Sequence, residues 1–88
     1  MAQPIKLRED RLQWRAVEGE TIAVDLESSN YLAFNPSATD LWPLLLEGTT
    51  EDALVDRLVE TFAIPREQAA TDVRAFLDTL AANGLLDG

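Results

Sequence analysis

Between Ser29 and Pro36 the chain reads S-N-Y-L-A-F-N-P, and its last two residues tightly restrict what can form there. Tyr31 and Phe34 favour a pleated strand, as aromatics do. Asn35 can cap a helix, and Pro36 suits a helix's first position. Ser29–Asn35 therefore reads as a short strand that hands over at once to a helix. The rest of the chain must supply a sheet for the one and a core for the other.

Upstream, Arg11–Ala16 and Glu20–Leu26 read as a hairpin. Leu12, Trp14 and Ala16 alternate with other residues, as do Ile22, Val24 and Leu26, the two-residue period of a half-buried sheet. Two registers compete. A two-residue turn at Glu18-Gly19 would pair Trp14 with Ala23 and set Ile22 opposite Arg15, mixing apolar and charged residues on one face. A three-residue loop, Val17-Glu18-Gly19, pairs Trp14 with Ile22 and Leu12 with Val24, and gives Gly19 the positive φ that such loops prefer. The apolar spacing selects the second. Pairing Leu26 with Asn30 then sets Leu32 beside Val24 and Phe34 beside Ile22, facing the core, with Tyr31 and Ala33 on the opposite face. The first and third strands become the edges of a meander. Residues 1–10 show no period and are expected to be an N-terminal arm before a single domain spanning 11–88.

Downstream, Pro36–Glu47 carries Ala38, Leu41, Trp42 and Leu45 on one helical stripe. Pro43 is expected to kink this helix or leave its first turn irregular, because the bond to the Thr39 carbonyl is lost at a cost of ~3 kcal/mol. Gly48 ends it. Thr49 with Asp52 resembles a capping box for a second helix, Glu51–Phe62. A third, Pro65–Asn83, has Ala69, Val73, Phe76, Leu77 and Leu80 on its stripe and closes at Asn83-Gly84. Leu85 and Leu86 are expected to fold back onto the core. The fold class is therefore α+β: a three-stranded antiparallel sheet followed by three helices on one of its faces, winged helix-turn-helix-like in layout.

The composition removes most chemistries. The 88 residues suit one small domain with a thin core, and they include neither cysteine nor histidine. That eliminates disulfides, a thiolate nucleophile, the usual general base and the commonest metal ligands. Ser28, Ser29 and Ser37 have no histidine partner and no Gly-rich nucleophile turn. No phosphate-cradling loop is present. We expect no catalytic residues, no metal and no cofactor, hence no enzyme. No apolar run approaches the ~18 residues needed to cross a bilayer, and the N-terminus lacks a secretory core. A cytoplasmic protein without a membrane partner is expected.

Charge narrows the partner further. Residues 1–15 hold Lys6, Arg8, Arg11 and Arg15 against Glu9 and Asp10, a balance of +2, within a total of −9; the remainder holds fourteen acids against Arg57, Arg66 and Arg74, a balance of −11. Such a body repels phosphate backbones, so a nucleic acid partner is not expected even though the helices resemble a helix-turn-helix. A peptide fits better. The outer side of the Ser29–Asn35 strand, if unpaired, offers N–H and C=O groups to an added strand. Ordering a peptide costs roughly 1–2 kcal/mol per residue, whereas each hydrogen bond returns only ~0.5–1.5. Pockets for two or three apolar side chains, at about 1.5–3 kcal/mol each, must supply the rest. The cleft between Tyr31–Phe34 and the third helix is the place for them, with Asp72 at its border available to a basic residue. The same edge could pair with its own copy, which keeps a homodimer open.

The ordered segments V-D-L-E-S-S-N-Y-L-A-F-N-P-S-A-T-D-L-W, L-L-L-E-G-T-T-E-D-A-L-V and A-A-T-D-V-R-A-F-L-D-T-L-A-A-N-G-L-L resemble the PqqD-like family, whose domain is the recognition element for precursor peptides of ribosomal natural products. The resemblance covers roughly residues 20–86; Pro43 departs from it. It implies a non-catalytic winged-helix-like domain that binds the leader of a precursor peptide as an added antiparallel strand and presents it to a modifying enzyme. Carried over by position, the peptide-binding residues are Ser29, Asn30, Tyr31, Leu32, Ala33 and Phe34 on the backbone ladder, with Ala69, Asp72, Val73, Phe76 and Leu80 along the groove. The short, unfused form resembles the domains of lasso peptide clusters, which work with a leader peptidase and a cyclase. The alternatives are a PqqD-type peptide chaperone for a radical-SAM enzyme and, further off, an acidic winged-helix DNA-binding regulator.

Overall fold

In a computed structural model, which describes residues 4–87, the chain runs through β1 (Lys6–Leu7), a 3-10 turn (Glu9–Arg11), β2 (Leu12–Val17), β3 (Glu20–Asp25) and β4 (Tyr31–Phe34), then α1 (Pro36–Glu47), α2 (Glu51–Phe62), α3 (Arg66–Ala82) and β5 (Leu86–Asp87). β2, β3 and β4 form an antiparallel meander in that order, and β1 pairs with β5. The fold is α+β, with the three-stranded sheet followed by three helices.

The hairpin register differs by one residue from the sequence expectation. Trp14 pairs with Ala23 and Arg15 with Ile22, and the strands close on Val17 and Glu20. The turn is therefore the two-residue Glu18-Gly19, with φ of 51° and 82°, the double positive φ that matches the twist of a tight hairpin. The shift carries through: Leu32 pairs with Ala23 and Phe34 with Thr21. Thr21, Ala23 and Asp25 line the inner face and are buried, while Ile22 and Val24 lie on the outer face, half-buried. Volume explains the inversion. Small inner side chains on β3 leave room for the rings that close over them, and the Thr21 and Asp25 polar atoms are hydrogen-bonded within the protein.

Those rings form a continuous run beneath the sheet. Trp14 of β2 meets Trp42 of α1 at 5.8 Å between centroids, Trp42 meets Phe34 of β4 at 5.4 Å, and Phe34 meets Phe76 of α3 edge-on at 5.3 Å. Tilted and edge-on pairs of this kind add to simple burial. Around Trp42 the core gathers Leu41 and Leu45 from α1, Leu54 and Leu58 from α2, and Val73, Leu77 and Leu80 from α3. The Trp42 indole N–H finds no acceptor among the described residues.

Helix ends follow the sequence with one change. Asn35 caps α1 by accepting from the Ala38 N–H at 2.9 Å. Thr50, not Thr49, caps α2, accepting from the Ala53 N–H at 3.1 Å. Thr49 is instead drawn into a bridge with Ile5 and is buried. α1 runs unbroken through Pro43, whose side chain is exposed. Described residues of the N-terminal segment are docked: Ile5 bonds both ways with Thr49, Leu7 pairs with Leu86, and Leu7 and Leu85 are buried in the core.

A polar knot fixes the connection into β4. The Asp25 carboxylate accepts from Arg11 Nε at 3.0 Å, from the Glu27 N–H at 3.0 Å and from the Ser28 hydroxyl at 2.8 Å. Ser28 in turn accepts from the Asn30 N–H. These donors, Arg11 foremost, hold the Asp25 carboxyl well below the usual carboxylate range against the opposing effect of burial.

Candidate functional site

β4 pairs with β3 along one side; among the described residues no strand occupies its other side. The docked N-terminal segment goes elsewhere, to β5 and Thr49. Which groups are left open follows from the ladder. The Asp25 N–H bonds to the Asn30 carbonyl, and in an antiparallel pair the bonded positions alternate. Leu32 and Phe34 therefore spend their backbone groups on β3, while Tyr31 and Ala33 point theirs outward. Two residues thus offer the open edge, and both are exposed.

Beside this edge lies a groove of about 460 Å³, lined by Leu32, Ala33, Phe34, Asn35, Ser37, Ala38, Leu41, Leu58, Asp72, Ala75, Phe76 and Thr79. Asn35 and Pro36 place β4 and α1 at a sharp angle, so α1 contributes Ala38 and Leu41 to the floor, and Leu58 joins from α2. On the α3 side, Asp72, Ala75, Phe76 and Thr79 recur at the three- and four-residue spacing of one helical face. Ala75 is small and exposed, which keeps the mouth wide, and the Phe34–Phe76 contact closes the bottom.

Of the residues singled out from the sequence, Leu32, Ala33, Phe34, Asp72 and Phe76 come together in this groove. Tyr31 is 63% exposed on the outer face of the sheet, where its backbone but not its ring meets the edge. Ser29 and Asn30 lie in the turn before β4, with Ser29 at φ 63°. Ala69, Val73 and Leu80 are fully buried on the neighbouring face of α3, packed into the core beneath the groove rather than lining it. Sequence reasoning did not place Asn35, Ser37, Ala38, Leu41, Leu58, Ala75 or Thr79 there. For α3 the signal was present: Ala75 and Thr79 flank Phe76 on a face one step around from the apolar stripe.

Asp72 is the one ionisable group in the groove's lining, and among the described residues no three carboxylates are close enough to hold a metal ion. No helix among them is long and apolar enough to cross a membrane. What the site can do is hold an extended chain: open backbone groups on one wall, apolar floor, mixed rim.

The profile of a family described as coenzyme PQQ synthesis protein D (PqqD) matches residues 20–86. No curated protein sequence matches the chain. A solved structure of TbiB1 in complex with the TbiA(beta) leader peptide is similar at 26% identity and TM-score 0.83, over 94% of this chain and 95% of that one. A lasso peptide synthetase B1 complexed with the leader peptide shares the fold, with 21% identity and TM-score 0.81 over 97% of this chain and 99% of the other.

Proposed function

The chain belongs to the PqqD family, and on that premise we propose that it binds the leader region of a ribosomally made precursor peptide without catalysing any reaction itself. The leader adds as an antiparallel strand to β4 and runs through the groove between β4 and α3. The observation that carries this reading is the outward-facing backbone of Tyr31 and Ala33 beside an apolar trough. Side chains of the leader that lie opposite Leu32 and Phe34 turn towards the helices and fill the trough; the alternate ones turn to the outer face of the sheet.

The bound leader is handed to modifying enzymes, the leader peptidase and cyclase of a lasso peptide pathway. The similarity to TbiB1, a protein of matching length solved with a leader peptide, supports leader binding. The fold shared with a lasso peptide synthetase B1 is the ground for naming a lasso pathway before service to a radical-SAM enzyme. The strongly negative body supports a peptide over a nucleic acid.

Fluorescence polarisation with a labelled leader, taken from the precursor reading frame beside the gene, tests the proposal. Binding should be saturable and should be lost in Ala75→Arg, which fills the groove from an exposed helical position. Equal affinity in that variant, with circular dichroism unchanged, would remove the groove assignment.

A further inference from the structure

Asp72 is the one ionisable side chain that lines the groove. Every arginine of the helical layer is engaged elsewhere: Arg57 with Asp40 at 2.9 Å, Arg74 with Glu51 at 3.3 Å and Arg66 with Asp56. Arg11 is held by Asp25 and Glu27. The remaining cations, Lys6, Arg8 and Arg15, precede β3 and none lines the groove. Asp72 is thus left without an ion pair among the described residues, exposed on the α3 wall, as the sole charge in a trough otherwise formed by apolar and neutral polar side chains. Its neighbours on that wall, Ala75 and Thr79, cannot supply a cation, and the Thr79 hydroxyl is already given to the Ala75 carbonyl.

From this placement we infer that the recognised peptide carries a lysine or arginine two or four positions from a bulky apolar residue. This rests on the leader-binding reading and adds its substrate class. The spacing follows from the ladder. A strand added to β4 sends alternate side chains to the helical side, so the apolar side chain that enters the trough and the cation that meets Asp72 must share parity. Two residues span about 6.8 Å of strand, within reach of one long basic side chain from the trough floor to its rim. An odd spacing would put the cation on the outer face of the sheet, away from Asp72.

A displayed library of random dodecapeptides, selected against the intact protein and against Asp72→Asn, tests this directly. Asn keeps the shape and removes the charge at an exposed helical position. Selection on the native protein should enrich a basic residue at even spacing from an apolar one, and selection on Asp72→Asn should lose that preference while keeping the apolar residue. A winning peptide, labelled and titrated by fluorescence polarisation, should weaken roughly fivefold on Asp72→Asn. Moving its basic residue by one position should weaken it equally on the native protein and not at all on the variant. Apolar peptides that compete for the groove with no charge or parity preference would overturn the inference and leave leader binding standing. Enriched peptides indifferent to Ala75→Arg would overturn both.

Discussion

The sheet has two edges, and they differ in what stands beside them rather than in what they offer. On β2 the outward-pointing backbone groups belong to Leu12, Trp14 and Ala16, because Arg11 already bonds across to Leu26 and the pattern alternates from there, and the Leu12 N–H is taken by the Glu9 carbonyl. On β4 they belong to Tyr31 and Ala33. Each edge therefore leaves the outward N–H groups of two residues free. β2 faces no trough that a helix closes, and all its residues after Leu12 are exposed. β4 looks onto a groove floored by three helices. A ladder of this length returns only a few kcal/mol before ordering costs, so the apolar floor decides which edge can hold a peptide.

The comparison can be pressed hardest through the aromatic run. Phe76→Ala should destabilise the fold by about 3–5 kcal/mol, since it empties the junction of β4 and α3. Trp14→Ala, at the other end of the run and 42% exposed, should cost about 1–2 kcal/mol. Urea titration of both variants measures the difference; equal losses would mean that the two edges are supported alike.

Backbone substitutions separate the edges without touching the core. Ala33→Pro deletes one outward N–H and spares every bond to β3, and proline is tolerated on an edge. It should weaken leader binding by about 1–3 kcal/mol, because a carbonyl of the peptide loses its donor. Ala16→Pro performs the same surgery on β2 and should leave the affinity unchanged. Binding lost through Ala16→Pro and kept in Ala33→Pro would move the site to the wrong edge.

The gentlest probe is pH. Asp25 has its carboxyl depressed in the folded state, chiefly by the hydrogen bond from Arg11. Its contribution is therefore complete above the unfolded value of about 3.9 and is lost progressively as pH falls below that towards the folded value. Thermal melts should show stability sloping down below about pH 4, and Asp25→Asn should flatten that slope. The turn into β4 hangs from this carboxylate, whereas the β2–β3 turn has no such tie, so amide exchange at low pH should quicken near Asn30 before it quickens near Gly19.

Element boundaries were legible because local chemistry writes them: Asn35-Pro36, Gly48 and Asn83-Gly84 stand where the helices start and stop. Register was not. Glu18-Gly19 supports a two-residue turn as readily as the last part of a three-residue loop, and counting apolar residues favoured Ile22 and Val24 for the inner face. The rings of Trp42 and Phe34 reversed that preference by needing small neighbours. No scan of β3 alone contains this information. The groove was half legible for the same reason. Its β4 wall and Phe76 follow from period, but Leu41 and Leu58 reach it only through the way α1 and α2 cross beneath the sheet, a tertiary fact.

Four residues of β4 make a brief handhold. A visitor gripped by two amino acids' worth of main chain and a shallow greasy trough leaves quickly once its contacts slip, since differences in affinity among such contacts fall mostly on the off-rate. That suits a courier better than a vault: such a grip lets go of a peptide without any part of the fold having to open.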